Sequence, residues 1–270
     1  MKRKITSFFK YAFLTIASVI SVFPLYWMIS SATNKSVDVI QGKIVPGLFL
    51  FENFKALLAN QPLLGTSLIN SFRNSIVLTA FSLLICSLAG YGFEVYHDKH
   101  KDRVMAVLLF SMMVPFAATM IPLFQMVSEL NLIGTTIGFI LPAISTPVMI
   151  MMFRQSARSF PHDIIEASRI DGLNELQIFL RMFIPTMRST YAAATIIIFM
   201  NAWNSYLWPK IIMVTNTSQT MPMLVANLIQ GYVIDYGMVM LGVTICTIPT
   251  VVVFFLLQKS FAEGITGAVK

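Results

Sequence analysis

Residues 154–189 read R-Q-S-A-R-S-F-P-H-D-I-I-E-A-S-R-I-D-G-L-N-E-L-Q-I-F-L-R-M-F-I-P-T-M-R-S, a polar interval with charges of both signs between two long apolar runs. Pro161 suits the first position of a helix, because its missing N–H would have no partner there, and Asp163 and Glu166 lie where the helix dipole favours carboxylates. Gly172 is placed to end that helix in a left-handed conformation. Asn174 with Gln177 three residues later has the capping-box pattern of a second helix, which Pro185 interrupts or ends. The spacing predicts a short helix-turn-helix on a membrane surface, with a crossing leading away at either end.

Around this interval the chain is oily. Of its 270 residues 56% are hydrophobic and 11% charged, and the mean hydropathy is +0.75, whereas a soluble domain is roughly half apolar and about a quarter charged. The fold class expected is an all-α polytopic membrane protein, one domain over residues 1–270, with six transmembrane helices of about twenty residues each. The spans fall at about 11–32, 70–93, 104–127, 136–153, 190–212 and 236–257. Met1-Lys2-Arg3-Lys4 ahead of an apolar run imitates a signal peptide. The run is too long for one, and it is expected to stay as the first span with Pro24 inside it. Between the first two spans, residues 51–58 have helical spacing of apolar positions and are expected to form a short helix lying on the membrane surface.

The net charge of +7 does not point to nucleic acid, because the basic residues flank apolar spans and serve to hold those flanks on the cytoplasmic side. Threading six spans leaves Lys35, Lys43, Lys55, Arg73 and Lys210 outside and the other fourteen of the nineteen Lys and Arg residues inside. Both termini and residues 154–189 are therefore expected to be cytoplasmic. Cys86 and Cys246 fall within spans and read as small buried hydrophobes. His97, Asp98, His100 and Asp102 read as a charged turn between spans rather than a metal site. No acid, base and nucleophile constellation stands out, so no catalytic residue is expected.

Glu166-Ala167-Ser168, then Gly172, then nine residues to Met182-Phe183-Ile184-Pro185 resembles the loop signature of permease subunits in bacterial binding-protein-dependent ABC importers. That signature runs E-A-A, three residues, G, nine residues, I-x-L-P. Both spacings match; Ser168, Met182 and Ile184 replace Ala, Ile and Leu with little change of size or polarity. The resemblance covers most of the chain, with a core at about 67–261, and points to the maltose-type, carbohydrate-uptake group. It implies that Glu166, Ala167, Ser168, Asp171 and Gly172 couple the chain to a separate ATPase subunit. It further implies a second, homologous permease, two ATPase subunits, an extracellular or periplasmic solute-binding protein and a sugar substrate, in the cytoplasmic membrane of a bacterium. The chain lacks G-x-x-x-x-G-K-[ST], so ATP and Mg belong to the ATPase subunits and no cofactor is expected here.

Trp203-Asn204-Ser205-Tyr206-Leu207-Trp208-Pro209 also looks like the pattern of the sugar-importing branch. Asn201 and Asn204 are amides at membrane depth, which need a partner helix or a hydrated path. Asn201, Asn204 and Tyr206 are the candidates for lining the substrate path, while Trp208 reads as part of an interfacial aromatic belt. Asn216, Thr217, Ser218 and Gln219 lie in an outer loop that, in similar permeases, reaches toward the binding protein. The 264–270 tail resembles the G-A-V-K ending that touches the ATPases in such importers. Two other readings are another polar solute of the same importer family, such as a glycerophosphodiester, and an ion-driven carrier. The carrier would need ionisable residues within the spans, which are nearly free of them.

Overall fold

The computed structural model describes residues 2–230 and 233–267, with side chains over 7–230 and 233–259. All regular structure among the described residues is helical. Three helices are each long and apolar enough to cross a membrane: α1 (Lys2–Ala32), α4 (Leu64–Val95) and α15 (Tyr236–Gly267). Among the described residues three bent helix pairs pass the same test of length and apolarity when each pair is taken together. These are α5 (Lys99–Ser111) with α6 (Phe116–Glu129) at 99°, α7 (Thr136–Ile140) and its 3-10 extension to Ala143 with α8 (Pro147–Ala157) at 57°, and residues 175–186 with α12 (Arg188–Trp203) at 82°. Counting each pair as one crossing gives the expected six. The expected straight spans at 104–127 and 136–153 are instead broken ones, and the one expected at 190–212 is interrupted between Trp203 and Leu207.

Proline marks the first two of those breaks. Pro115 stands extended before α6 (φ −65°, ψ 138°). Thr146 is extended ahead of Pro147, the first residue of α8. At the second break the proline ring pushes the preceding residue, Thr146, out of the helical region, and at both the proline brings no N–H donor. Pro24 and Pro249 remain inside α1 and α15, as membrane helices allow.

One compact unit comprises Met1–Gly65 and Leu224–Pro249. Along α1 the apolar side chains face outward, Phe8 and Phe13 among them, which suits hydrocarbon but not water. Beyond α1 come the short α2 (Ser36–Ile40) and α3 (Leu50–Asn60), the latter where a surface helix was expected. Two buried amides hold this region. Asn34 Nδ2 donates to the Ser30 and Val45 carbonyls at 3.0 and 2.9 Å. Asn53 Nδ2 donates to the Ala32 and Asn34 carbonyls at 2.8 and 2.9 Å. Both ends of the connection between α1 and α3 are thereby fixed through backbone carbonyls.

The second unit comprises Thr66–Met223 and Thr250–Lys270. Its core gathers Leu78 and Cys86 of α4, Val127 of α6, Phe139, Phe153 of α8, and Ala194 and Ile198 of α12, with Ile212 of α13 (Leu207–Ile212). The remaining elements are α9 (His162–Ile170), α10 (Glu175–Ile178), α11 (Ile184–Thr186) and α14 (Met221–Leu228). Asn53→Ala leaves two buried carbonyls without a donor and should destabilise the protein by about 1–3 kcal/mol. The check is the thermal unfolding midpoint in detergent, in which Asn53→Asp, losing the same donor, should fare no better.

Candidate functional site

The 154–189 interval folds as its spacing predicts, with one shift of register. Pro161 is the N-cap residue of α9 rather than its first turn (φ −64°, ψ 123°), because its extended ψ keeps it outside the helix. Asp163 lies in the first turn and Arg169 in the last, both favoured by the dipole. At the other end Gly172 adopts φ +81°. Its N–H reaches the Arg169 carbonyl at 3.1 Å and the Leu173 N–H reaches that of Ser168 at 3.0 Å. This pair of bonds is a Schellman ending, in which a side chain at the left-handed position would be strained.

Asn174 then caps α10. Its Oδ1 accepts from the Gln177 N–H at 2.9 Å, and its own N–H donates to Gln177 Oε1 at 2.9 Å. Across the turn Arg169 Nε donates to Glu175 Oε1 at 2.8 Å, and that carboxylate holds the Arg169 guanidinium above its usual range. Two helices joined by a reciprocal cap, a left-handed glycine and an ion pair form a stiff unit.

Beneath α9 lies an aromatic cluster. Ile165 is buried with Tyr91, Phe160, Ile178, Phe179 and Phe183. The Tyr91 ring of α4 meets Phe179 at 5.4 Å and Phe183 at 4.9 Å between centroids. Phe179 and Phe183 stack at 5.6 Å, and residues Phe179–Phe183 form a π-helical turn, closed by the Ile184 N–H on the Phe179 carbonyl. Residues four apart share one face of a helix, and the wide turn precedes Pro185, which has no N–H to continue the ordinary ladder.

The five residues expected to couple α9 to a partner divide by exposure. Glu166, Ala167, Asp171 and Gly172 are exposed, whereas Ser168 is buried, its small side chain letting α9 settle on the cluster. The sequence reading missed Ile170, an apolar side chain 86% exposed at the tip of α9. Its signal was an isoleucine on the face opposite Ile165 in a helix otherwise rimmed with charge. The aromatic cluster went unread as well, because its members look like ordinary membrane apolars until α4 and the loop are placed together.

Elsewhere in the same unit is a cavity of about 620 Å³. Asn201, Ser205 and Tyr206 lie in its wall with Met112, Phe116 and Trp208; Asn204 does not. The reason is the break after α12, where Asn204 is the C-cap residue and the next two residues turn the chain toward the cavity. Trp208 departs from its expected place in an interfacial belt. It is buried, and its Nε1 donates to the Gly138 carbonyl at 3.1 Å.

In the loop beyond α13, Asn216 and Thr217 are exposed while Ser218 and Gln219 are buried. Asn70 Nδ2 holds the Thr217 and Gln219 carbonyls at 2.8 and 3.0 Å, and Ser71 Oγ accepts from the Met221 N–H at 2.8 Å. Two of the four residues expected to contact a partner therefore have side chains available. The G-A-V-K ending falls at 267–270, of which 268–270 lie outside the described residues.

Residues 83–267 match the family of binding-protein-dependent transport system inner membrane components. Over 272 residues the chain is 42% identical to a lactose transport system permease protein, LacG, of Rhizobium radiobacter, covering 100% of this chain and 98% of that one. It is 34% identical over 279 residues to an arabinooligosaccharides transport system permease protein, AraQ, of Halalkalibacterium halodurans, with 100% of each covered. Its fold resembles a chain in the crystal structure of a bacterial ABC transporter involved in alginate import, with a TM-score of 0.84, 20% identity and 97% and 98% of the two chains covered. Gly172→Ala should cost about 1–2 kcal/mol, and Gly172→Asn, which tolerates the left-handed region, less. Thermal unfolding of the two purified variants checks the order.

Proposed function

The chain belongs to the family of binding-protein-dependent transport system inner membrane components, and we propose that it is the membrane-spanning permease subunit of an ATP-driven ABC importer carrying a sugar or oligosaccharide. The observation that carries the carbohydrate reading is the 42% identity, over the whole chain, with a lactose permease. In this reading the chain lies in the bacterial cytoplasmic membrane with both termini and α9 inside. It pairs with a second homologous permease, two ATPase subunits and a solute-binding protein outside. Hydrolysis of ATP, with its Mg, takes place on the ATPase subunits, and this chain supplies the path and the linkage.

The cycle is one of alternating access. ATP draws the ATPase subunits together; α9, seated in one of them, moves as a rigid body; the crossings it is fastened to rock from inward-open to outward-open while the binding protein releases its ligand. The exposed Ile170, rimmed by Glu166, Arg169 and Asp171, supports seating in an apolar socket with a polar rim. The Tyr91 ring against Phe179 and Phe183 supports transmission to α4, since a packed cluster passes on a displacement that a loose loop would absorb. At the cavity the Asn201 amide suits a pair of sugar hydroxyls, and the Tyr206 ring suits the apolar face of a pyranose. Asn216 and Thr217 are the side chains within reach of the binding protein.

Deleting the chain from its host should abolish ATP-dependent uptake of the cognate carbohydrate, with radiolabelled lactose and arabinooligosaccharides as first probes. Unchanged uptake of every carbohydrate tested would sink the reading. Asn201→Ala and Tyr206→Ala should each lower uptake roughly five-fold, about the loss of one hydrogen bond or ring contact, whereas Asn204→Ala, off the cavity wall, should not. Ile170→Glu should leave the chain inserted but stop the ATPase subunits from co-purifying with a tag on this chain. Undiminished recovery of those subunits would argue against α9 as the docking element.

A further inference from the structure

Arg154 closes the last turn of α8 and is only 3% exposed. Its Nε donates to Glu94 Oε2, at the end of α4, at 3.1 Å; its Nη2 donates to Asp102 Oδ1, in the first turn of α5, at 2.5 Å. One guanidinium thus joins carboxylates on two other helices, which its planar fork of divergent donors permits and a lysine ammonium does not. Arg158 adds Nε on the same Glu94 oxygen at 3.3 Å, and His97 Nε2 lies 3.0 Å from Asp102 Oδ2. The approach of the helices is set one turn earlier on α4. A Cβ on Gly90 would come within 2.6 Å of Phe153 Cβ and 2.7 Å of the Arg154 nitrogen, so only glycine brings the two backbones together there.

The position of this cluster gives it mechanical meaning. The chain leaves α8 at Ala157 and enters α9 at His162. A displacement of α9 therefore reaches the end of α8 within four residues, and it passes to α5 through whatever joins those ends. We infer that Arg154 is a positioning residue of the import cycle, clasping α4, α5 and α8 into one foot so that movement of α9 turns all three together. The inference rests on α9 being the element that meets the ATPase.

Removing the clasp is not expected to leave a stranded charge. Without the Arg154 guanidinium, Glu94 retains Arg158, and Asp102, whose side chain is 47% exposed, is open to water. The fold should survive while the linkage is lost.

The test uses the whole complex, isolated through a tag on this chain and reconstituted in liposomes with its binding protein. ATP hydrolysed per sugar imported is measured beside the unfolding midpoint. Arg154→Met, which keeps much of the side chain's volume, should raise that ratio roughly ten-fold, with hydrolysis itself within about two-fold of the unaltered complex. Arg154→Lys should fall between, since one ammonium meets one carboxylate. Asp102→Asn, which opens only the α5 arm at a half-exposed site, should raise the ratio by a few-fold, and it decides the matter alone if Arg154→Met does not accumulate. Unaltered ratios in Arg154→Met and Asp102→Asn overturn the clasp, whatever their midpoints. An unaltered complex that imports without ATP, or holds no ATPase, overturns instead the reading of α9 and the clasp with it.

Discussion

The seating of α9 on an aromatic cluster is the interaction on which the proposed machinery turns. A helix of nine residues is too short to be stable by itself, and α9 has an exposed apolar tip at Ile170 that favours no particular resting place. What fixes it is Ile165 against Phe160, Phe179, Phe183 and Tyr91, and Tyr91 belongs to a helix that runs the length of a membrane crossing. Closed by the left-handed Gly172 and the Asn174–Gln177 reciprocal cap, the loop is packed on α4 through the Tyr91 ring. An external force on it then has somewhere to go.

The broken crossings follow from the same solvent that makes the chain oily. In hydrocarbon an unpaired N–H or C=O is costly, so a break is tolerated where protein or a cavity covers it. The turn after α12 carries Ser205 and Tyr206 into a cavity wall. The break after α13 is covered by Asn70 and Ser71, whose side chains take up the backbone groups of the loop. In the first unit Asn34 and Asn53 do the same for the connection that follows α1. Buried amides thus take up the backbone groups of the connections that leave the helices.

Much of this was legible beforehand. Glycine and proline act through their own backbone limits, so Gly172 and Pro185 did what their chemistry requires whatever lay around them. The Asn174–Gln177 cap is equally local. Asn201 and Tyr206 were found as polar groups at membrane depth, but Asn204 satisfied the same criterion and stands off the cavity wall. The difference between Asn201 and Asn204 is the direction of a chain break, which their spacing does not encode. Trp208 looked like an interfacial side chain and became a buried one, because its indole N–H found the Gly138 carbonyl on a different segment.

Composition, the period of apolar residues and the placement of glycine, proline and capping side chains determined, by themselves, an all-α membrane protein with a short two-helix interval between late crossings. Each of those signals acts within a few residues of its own position. Tertiary structure alone decided where the crossings bend, that Arg154 leaves solvent to bridge Glu94 and Asp102, and that Tyr91 carries the loop. Those outcomes depend on which distant segments meet, and a flanking arginine or an apolar tyrosine reads the same in sequence whether or not a partner awaits it.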